Sequence, residues 1–497
     1  MEVPQEMHNL PAATPLAPTT HGIPAAQPPF RRWVNLYGEE ICNVNTHKTV
    51  DKKMLNLPAT LKYTLESERA PVEVMRSFNN SHGSGFVRES LRGIPPAIGT
   101  VGLHNLGNTC YMNSILQCIN HIKPITQYFL KGDYVKEINK HNPLGSGGRV
   151  ATAYASFLSD VYSGEFSILA PRLLKHTLSC YAPQFRNNHQ HDSQEFCQYL
   201  LDGLHEDLNR VKSKPYVEQL EALGLDDSEA AMISWKKHLQ RHDSIFVDYT
   251  QGLHRSHLTC PRCGRESIKF DVYSSISLPL VPAKNRSSIP LSDCLDQFAA
   301  GEQLDEHNAW YCPSCKRHVC ALKLITLWTT PDILVLHLKR FTFETSPTDG
   351  RILRSKIEDK VNFPIDRLDL TSYVLGPTDP SAPPVYKVSW NIFIEATGNL
   401  LSRQSTDAIV HIPHFNPQLF GVSEHTGSTA NSGHYTATVL NSKDGNWYRY
   451  NDSHVGSTSG DAAVTGGAYL LFYRRANGTL RWGGMEAQMM QIPKHAD

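Results

Sequence analysis

The sequence carries no excess of charge of either sign, because 48 lysines and arginines balance 48 aspartates and glutamates. It therefore lacks the basic field that favours binding to nucleic acids or to anionic membranes. It also lacks an apolar run long enough to span a bilayer. Residues 1–20 contain no positively charged stretch followed by an apolar one, so we expect no secretory signal. These absences predict a soluble protein of the cytoplasm or nucleus that binds neither nucleic acid nor membrane.

The number of cysteines argues against a fold that is held together by disulfide bonds. The chain has eleven cysteines at scattered spacings, an odd number that cannot all pair within one molecule. In a reducing compartment such cysteines are metal ligands, nucleophiles or core residues. The length of 497 residues allows a large core and more than one subdomain.

Composition divides the chain into four regions. Residues 1–30 are rich in proline, which is typical of a disordered tail. Residues 31–98 form an N-terminal extension of unknown structure, and residues 476–497 a C-terminal tail. A compact domain is expected over residues 99–475.

Within this domain the hydrophobic periodicity changes once. It is mainly helical from residue 110 to about 248, including a helix after Asp192, and strand-like from residue 253 onward. A helical half followed by a strand-rich half predicts an α+β fold.

Cys110 lies where a loop of small, turn-forming residues changes to a helical pattern. Apolar residues follow it at helical spacing: Met112, Ile115, Leu116, Ile119 and Ile122. A thiol at a helix N-terminus meets the positive end of the helix dipole, which favours the nucleophilic thiolate. The position indicates a catalytic cysteine, although a buried, inert cysteine is the commoner case.

A catalytic cysteine needs a base, and the base needs a polar group that orients it. Of 24 histidines, His434 has the best context, since it follows a turn and begins a predicted strand. His425 is its rival, in a loop that offers a less rigid mount. A further predicted strand ends in Asn451 and Asp452, and either side chain can accept from the imidazole and set its tautomer.

Two C-x-x-C motifs predict a metal site. The first runs from Cys260 to Cys263 and the second from Cys312 to Cys315. Four thiolates would fill the tetrahedral shell of a structural Zn²⁺ and leave no open position for catalysis. The alternatives are a coincidence of spacing or a redox disulfide.

Several separated motifs resemble those of the ubiquitin-specific proteases, which are papain-like cysteine peptidases. Residues 102–117 are similar to the family's cysteine box and residues 432–452 to its histidine box. The resemblance covers about residues 100–475. It implies a helical thumb, a β-rich palm and zinc-ribbon fingers at about 253–330. Three further segments carry family motifs: 190–196, 244–252 and 336–341.

The resemblance implies hydrolysis of the isopeptide or peptide bond after the C-terminal glycine of ubiquitin. In that reaction Cys110 is the nucleophile and His434 the acid and base. The family's third catalytic residue falls on Asn451, with Asp452 beside it as an alternative. Its oxyanion donor falls on Asn105, which is otherwise explained as a turn residue.

The resemblance also implies a channel for the ubiquitin tail, lined by Gln190, Asp192 and Tyr435. Asp192 is equally well explained as the N-cap of a helix. The expected partners are therefore ubiquitin and ubiquitinated proteins, bound by a catalytic domain that we expect to be monomeric.

One stretch departs from the family pattern. The segment at residues 386–418 is longer than the segment that usually precedes the histidine box in this family. It contains two candidate strands, at 391–394 and 409–412. The competing hypothesis is a catalytically silent ubiquitin-binding scaffold of the same fold. The presence of both catalytic boxes counts against it, and neutral charge counts against a zinc-ribbon protein that binds nucleic acid.

Overall fold

The computed structural model describes residues 32–34, 40–43 and 90–475, apart from five gaps: 219–223, 282–285, 346–351, 377–416 and 430–431. The predicted proline-rich tail, the C-terminal tail and the two candidate strands of the 386–418 stretch lie outside the described residues. Near the N-terminus β1 (Arg32–Val34) and β2 (Glu40–Asn43) pair antiparallel.

The first part of the domain is mainly helical, as the periodicity predicts. The helices predicted after Cys110 and Asp192 are both present, and residues 217–242 contain one described helix. The elements are β3 (Leu91–Arg92), β4 (Gly102–Leu103), α1 (Cys110–Ile119), α2 (Lys123–Leu130), α3 (Tyr134–Glu137), α4 (Arg149–Tyr162), β5 (Phe166–Leu169), α5 (Arg172–Tyr181), α6 (Ser193–Asp207), α7 (Asp227–Leu239) and α8 (Ile245–Thr250).

The second part is mainly strands, and a helix lies between the two C-x-x-C motifs. The elements are β6 (Gly252–Thr259), β7 (Glu266–Tyr273), β8 (Ile276–Pro279), β9 (Ile289–Pro290), α9 (Leu291–Ala299), β10 (Glu302–Gln303), β11 (Trp310–Cys312), β12 (Arg317–Val319), β13 (Leu322–Thr329), β14 (Ile333–Lys339), β15 (Phe341–Thr345), β16 (Ile352–Lys356), β17 (Val361–Asn362), β18 (Pro417–Thr429), β19 (Ser432–Leu440), β20 (Trp447–Asn451), β21 (His454–Thr458) and β22 (Ala468–Arg475).

A seven-stranded sheet carries the second half of the site. Its order is β21-β20-β19-β18-β22-β14-β8, and only the β14–β8 pair is parallel. β14 is buried along most of its length, which accounts for its nearly unbroken apolar sequence. The inner face of the sheet shares one hydrophobic core with α1, α4 and α6.

Helix α1 lies inside that core, and all ten of its residues are buried. Its three polar side chains, Asn113, Ser114 and Gln117, form hydrogen bonds within the interior, as buried polar groups must. Burying a side chain such as Ile115 or Leu116 contributes about 1.5–3 kcal/mol. The N-terminus of α1, and with it Cys110, is therefore held rigidly between the helical half and the sheet.

A separate four-stranded sheet, in the order β10-β13-β6-β7, extends toward the β11–β12 hairpin. A small cluster supports it, in which Trp235 of α7 packs with Phe270 and Trp328. The α+β class is confirmed. Among the described residues, no helix is both long and apolar enough to cross a membrane.

Candidate active site

The loop before Cys110 is folded by its own side chains. The Asn105 Oδ1 atom accepts hydrogen bonds from the backbone N–H groups of Gly107 and Thr109, at 3.1 and 3.0 Å. Gly107 and Asn108 both have positive φ, at 106° and 54°, a conformation that glycine and asparagine tolerate best. This turn delivers Cys110 as the first residue of α1.

The imidazole of His434 joins the two halves of the site. Its Nε2 atom donates to Asn451 Oδ1 over 2.7 Å, so Nδ1 is the ring nitrogen left for the Cys110 thiol. The hydrogen bond with Cys110 raises the pKa of His434 to about 9. The bond to Asn451 and the charges of Cys110 and Asp452 add to this rise, and burial opposes it.

Asp452 does not contact the imidazole, which separates the two candidates that the sequence leaves open. Its carboxylate accepts from Asn105 Nδ2 at 3.0 Å and from Asn113 Nδ2 at 2.8 Å. Its backbone carbonyl accepts from Leu103 N–H at 2.8 Å. Asn451 therefore holds the His434 imidazole, whereas Asp452 ties the cysteine loop to the histidine box.

Gly102 permits this close docking of the two boxes. A Cβ atom at Gly102 would lie 2.3 Å from the backbone oxygen of Ser453, the residue after Asp452. No side chain fits in that space, so only glycine lets β4, the strand before the Cys110 loop, approach the turn at residues 452–453. The site thus depends on backbone contact as well as on side chains.

His425 lies within β18, paired with Tyr435, so the prediction of a loop at this position is wrong. It is close to the site but is placed differently from His434. It is fully buried, and its ring packs against Phe341 and Tyr435, with centroids 5.3 and 4.7 Å apart. Neither ring nitrogen has a hydrogen-bond partner among the described residues. Burial lowers the pKa of His425 to about 4, so this imidazole is neutral at pH 7.

Gln190 holds Gly433, the residue before His434. Its side-chain Nε2 donates to the Gly433 carbonyl at 2.9 Å, and its Oε1 accepts from the Gly433 N–H at 2.8 Å. The amide thus pairs with both backbone polar groups of one residue, Gly433. This contact fixes the start of β19 at the residue directly before His434.

Asp192 has two structural partners. One carboxylate oxygen accepts from the Gln194 N–H at 2.7 Å, which is the predicted N-cap of α6. The other accepts from the Tyr469 hydroxyl at 2.6 Å. Tyr435, the third predicted channel residue, is buried, and its ring packs beside Tyr469 with centroids 6.2 Å apart.

The four cysteines of the C-x-x-C motifs form one cluster. All four sulfur atoms lie within 4.8 Å of one another. The Sγ atoms of Cys260 and Cys315 are 3.8 Å apart, and those of Cys263 and Cys312 are 3.7 Å apart. Sulfurs about 3.8 Å apart are what a tetrahedral ion with Zn–S bonds of about 2.3 Å requires, whereas a disulfide needs about 2.05 Å. The donor set and its spacing fit a four-coordinate metal.

Residues 101–473 match the profile of the family described as ubiquitin carboxyl-terminal hydrolase. The chain belongs to this family. The resemblance to the ubiquitin-specific proteases is thereby confirmed.

Two relatives align over about three quarters of the chain. Ubiquitin carboxyl-terminal hydrolase 2 of Homo sapiens is 33% identical over 382 residues, which are 77% of this chain and 56% of the relative. Ubiquitin carboxyl-terminal hydrolase 4 of Vanderwaltozyma polyspora is 33% identical over 398 residues, 76% of this chain and 41% of the relative. The chain spans less than two thirds of the length of such relatives.

A solved structure supports the fold. The SAGA Ubp8/Sgf11/Sus1/Sgf73 DUB module bound to ubiquitin aldehyde contains a chain that matches with a TM-score of 0.52 and 22% identity. The match covers 82% of this chain and 75% of that one. The fold is thus that of the ubiquitin-specific proteases, with a helical thumb, a β-rich palm and fingers that end in the four-cysteine cluster.

Sequence reasoning assigned no role to three residues that complete the site. Asn113 lies within the cysteine box, but only the fold shows that its amide reaches Asp452. Gly433 directly precedes His434, but only the fold shows that it pairs with Gln190. Tyr469 meets Asp192 across 277 residues of chain, a contact for which no local sequence signal exists.

Proposed function

We propose that the protein is a deubiquitinase, a thiol-dependent hydrolase that cleaves the isopeptide or peptide bond after the C-terminal glycine of ubiquitin. The observation that carries this proposal is the contact series from Cys110 through His434 to Asn451, in a chain of the ubiquitin carboxyl-terminal hydrolase family. Nucleophile, base and orienting group are adjacent, as thiol hydrolysis requires.

In the first step the Cys110 thiolate attacks the carbonyl carbon of the terminal glycine, forming a C–S bond. His434 then gives its proton to the departing amine as the C–N bond breaks, which leaves ubiquitin as a thioester on Cys110. In the second step His434 takes a proton from water, the hydroxide attacks the thioester, and the ubiquitin carboxylate leaves with Cys110 restored.

Asn105 is proposed to stabilise the negative oxygen that forms in each step. Its Oδ1 is fully used by the two backbone N–H groups of its own turn, so its orientation is unambiguous. One N–H of its Nδ2 points at Asp452, and the second remains to donate to the oxyanion. Asp452 is in this view a positioning residue for Asn105.

Gln190, Asp192 and Tyr435 are proposed to shape the channel for the ubiquitin tail. The carboxylate of Asp192 has about four acceptor positions, of which two are used by Gln194 and Tyr469. It therefore keeps capacity to accept from a backbone N–H of the tail. A narrow channel suits a diglycine end, since glycine lets the backbone approach closely.

The four-cysteine cluster is proposed to hold a structural Zn²⁺. Cys260, Cys263, Cys312 and Cys315 would supply all four ligands, so the ion would stabilise the fingers and take no part in hydrolysis. Free thiols and thiolate ligands persist in a reducing compartment, which is consistent with the proposed location in the cytoplasm or nucleus.

The proposal is tested with ubiquitin carrying a fluorogenic amide at its C-terminus. The unmodified protein is expected to release the fluorophore, and Cys110→Ala is expected to bind ubiquitin without turnover. Ubiquitin binding without turnover by the unmodified protein would instead identify a silent scaffold. Absence of both would refute the proposal.

Removing the carboxylate of Asp452 is expected to lower kcat by about 10²–10³-fold, as loss of an oxyanion donor does, with little change in KM. Glycine is the suitable replacement, because Asp452 has a φ of 48° and alanine would add strain there. The measurement is steady-state kinetics on a ubiquitin C-terminal amide, with thermal unfolding as a check on folding.

A double variant shows whether Asp452 acts through Asn105. If it does, Asp452→Gly should have little further effect in an Asn105→Ala background. Fully multiplicative losses would contradict the proposed role.

The raised pKa of His434 predicts an alkaline limit to activity. Because the hydrogen bond with Cys110 raises this pKa to about 9, His434 is protonated at neutral pH and can serve the leaving amine. We expect kcat/KM to fall as pH rises through about 9. Asn451→Ala removes a contact that also raises the pKa of His434, so kcat/KM of this variant should begin to fall at a lower pH. A pH profile identical to that of the unmodified protein would contradict this.

The same shift links pH to stability. The pKa of folded His434 lies above its ordinary value of 6.5, so its stabilising contribution is complete below about pH 6.5 and is lost as pH rises through about 9. Unfolding midpoints of the unmodified protein and Asn451→Ala should therefore differ less above pH 9 than at pH 6.

A further inference from the structure

Three side chains with metal-binding atoms meet at the end of α6. His205 and Glu206 lie in the last turn of that helix, and His242 lies between α7 and α8. One ligand atom from each falls within 4.8 Å of the other two. His205 and Glu206 are only 7% and 8% exposed, and His242 is partly buried, so the group lies at the edge of the interior rather than on open surface.

The spacing of the two imidazoles fits a shared ion. His205 Nε2 and His242 Nδ1 are 3.1 Å apart, and two nitrogens on a tetrahedral zinc with Zn–N bonds of about 2.0–2.1 Å stand about 3.3 Å apart. Two imidazoles and a carboxylate suit Zn²⁺ and similar divalent transition metals. A water would complete the four-coordinate shell.

The imidazole rings of His205 and His242 contact groups other than the proposed ligands, as the rings of metal-binding histidines usually do. The second nitrogen of His205, Nδ1, lies 2.8 Å from the Ser244 hydroxyl. His238 stacks on His242, with ring centroids 4.9 Å apart and an interplanar angle of 16°. Such outer contacts fix ring orientation before an ion arrives.

A lysine already places a positive charge at the carboxylate. The Lys214 ammonium lies 2.8 and 2.9 Å from the two oxygens of Glu206, and Asn142 Nδ2 donates to Oε2 at 2.6 Å. The ammonium and a bound metal ion would compete for the same carboxylate. The Lys214 side chain is long, so it can turn away and leave an oxygen of Glu206 free.

We propose that His205, Glu206 and His242 form a second metal site, which binds Zn²⁺ in competition with the ammonium of Lys214. This site is separate from the four-cysteine cluster and independent of the proposed hydrolysis. Substitutions of the two kinds of residue have opposite expected effects. Loss of a ligand such as His242 should weaken zinc binding, whereas loss of the competing Lys214 ammonium should strengthen it.

The test is equilibrium dialysis of the full chain at a series of buffered free-zinc concentrations, with metal counted per chain by mass spectrometry. We expect one zinc that resists dilution, held by the four cysteines, and a second that is taken up at higher free zinc. His242→Gln should raise the free zinc needed for the second ion by at least about tenfold. Lys214→Met should lower it, and His307→Gln, which alters an exposed histidine, should leave it unchanged.

Thermal unfolding of each variant confirms that it is folded. The proposal is overturned if neither the unmodified protein nor Lys214→Met takes up a second zinc. It is also overturned if His242→Gln takes up the second zinc as readily as the unmodified protein, because the ion then lies elsewhere. Cys312→Ser should lose the tightly held zinc and retain the second one. This variant therefore distinguishes the two sites.

Discussion

Replacement of His434 by alanine is expected to lower kcat/KM for a ubiquitin C-terminal amide by about 10⁴-fold or more, because both proton transfers are then lost. Asn451→Ala should cost less, about 10²-fold, because the base is retained and only its orientation suffers. Steady-state kinetics at a fixed pH near 7 measures both. Both variants should still bind ubiquitin, because neither side chain is buried in the hydrophobic core.

The matched control is His454→Ala, which removes an exposed histidine in the strand next to Asn451 and should leave the kinetics unchanged. His425→Ala tests the rival base. If His434→Ala kept its activity while a folded His425→Ala lost it, the role of base would belong to His425 and the proposed mechanism would be wrong.

The second large effect is expected at the four-cysteine cluster. Cys312→Ser removes a proposed zinc ligand that is buried in the structure. The binding free energy of a structural zinc, about 10–16 kcal/mol in isolated zinc-finger peptides, is folding free energy. We expect loss of the tightly held zinc, local unfolding of β11 and β12, and weaker binding of ubiquitin. Metal content, thermal unfolding and ubiquitin affinity measure these three effects.

Cys320→Ser is the control for this variant. Cys320 follows β12 but lies outside the cluster, so its replacement should leave metal content and stability unchanged. Folded Cys312→Ser with undiminished zinc and ubiquitin affinity would contradict the assignment of a structural metal to these four residues.

The parts of the fold that follow from sequence are those with local signals. The turn-forming residues before Cys110 and the apolar periodicity after it predict α1, and Asp192 predicts the start of α6. The C-x-x-C motifs predict a cluster of four sulfurs because two residues between cysteines bring both thiols to one side of a turn. Each of these signals lies within a few residues of the feature that it predicts.

The contacts that complete the site have no such signal. Asp452 and Asn105 are 347 residues apart, and adjacent residues Asn451 and Asp452 are chemically similar candidates. Only the strand geometry decides between them, because β20 ends with Asn451 facing His434 and the following turn carries Asp452 to the cysteine loop. The choice between the two thus needed tertiary structure.

The cluster at the end of α6 illustrates the same limit. His205 and Glu206 are adjacent in sequence, but His242 follows 37 residues later, after α7. No ligand-spacing motif connects them. A sequence with 24 histidines offers many such pairs, and only the packing of α7 against its neighbours selects this one.

The most direct test of the account is capture of Cys110 by ubiquitin that carries an electrophile in place of its C-terminal carboxylate. The modified residue is then located by peptide mass spectrometry. The account predicts one covalent adduct, on Cys110 alone, which is absent in Cys110→Ala and formed much more slowly in His434→Ala. No adduct with the folded, unmodified protein, or an adduct on a different cysteine, would contradict it.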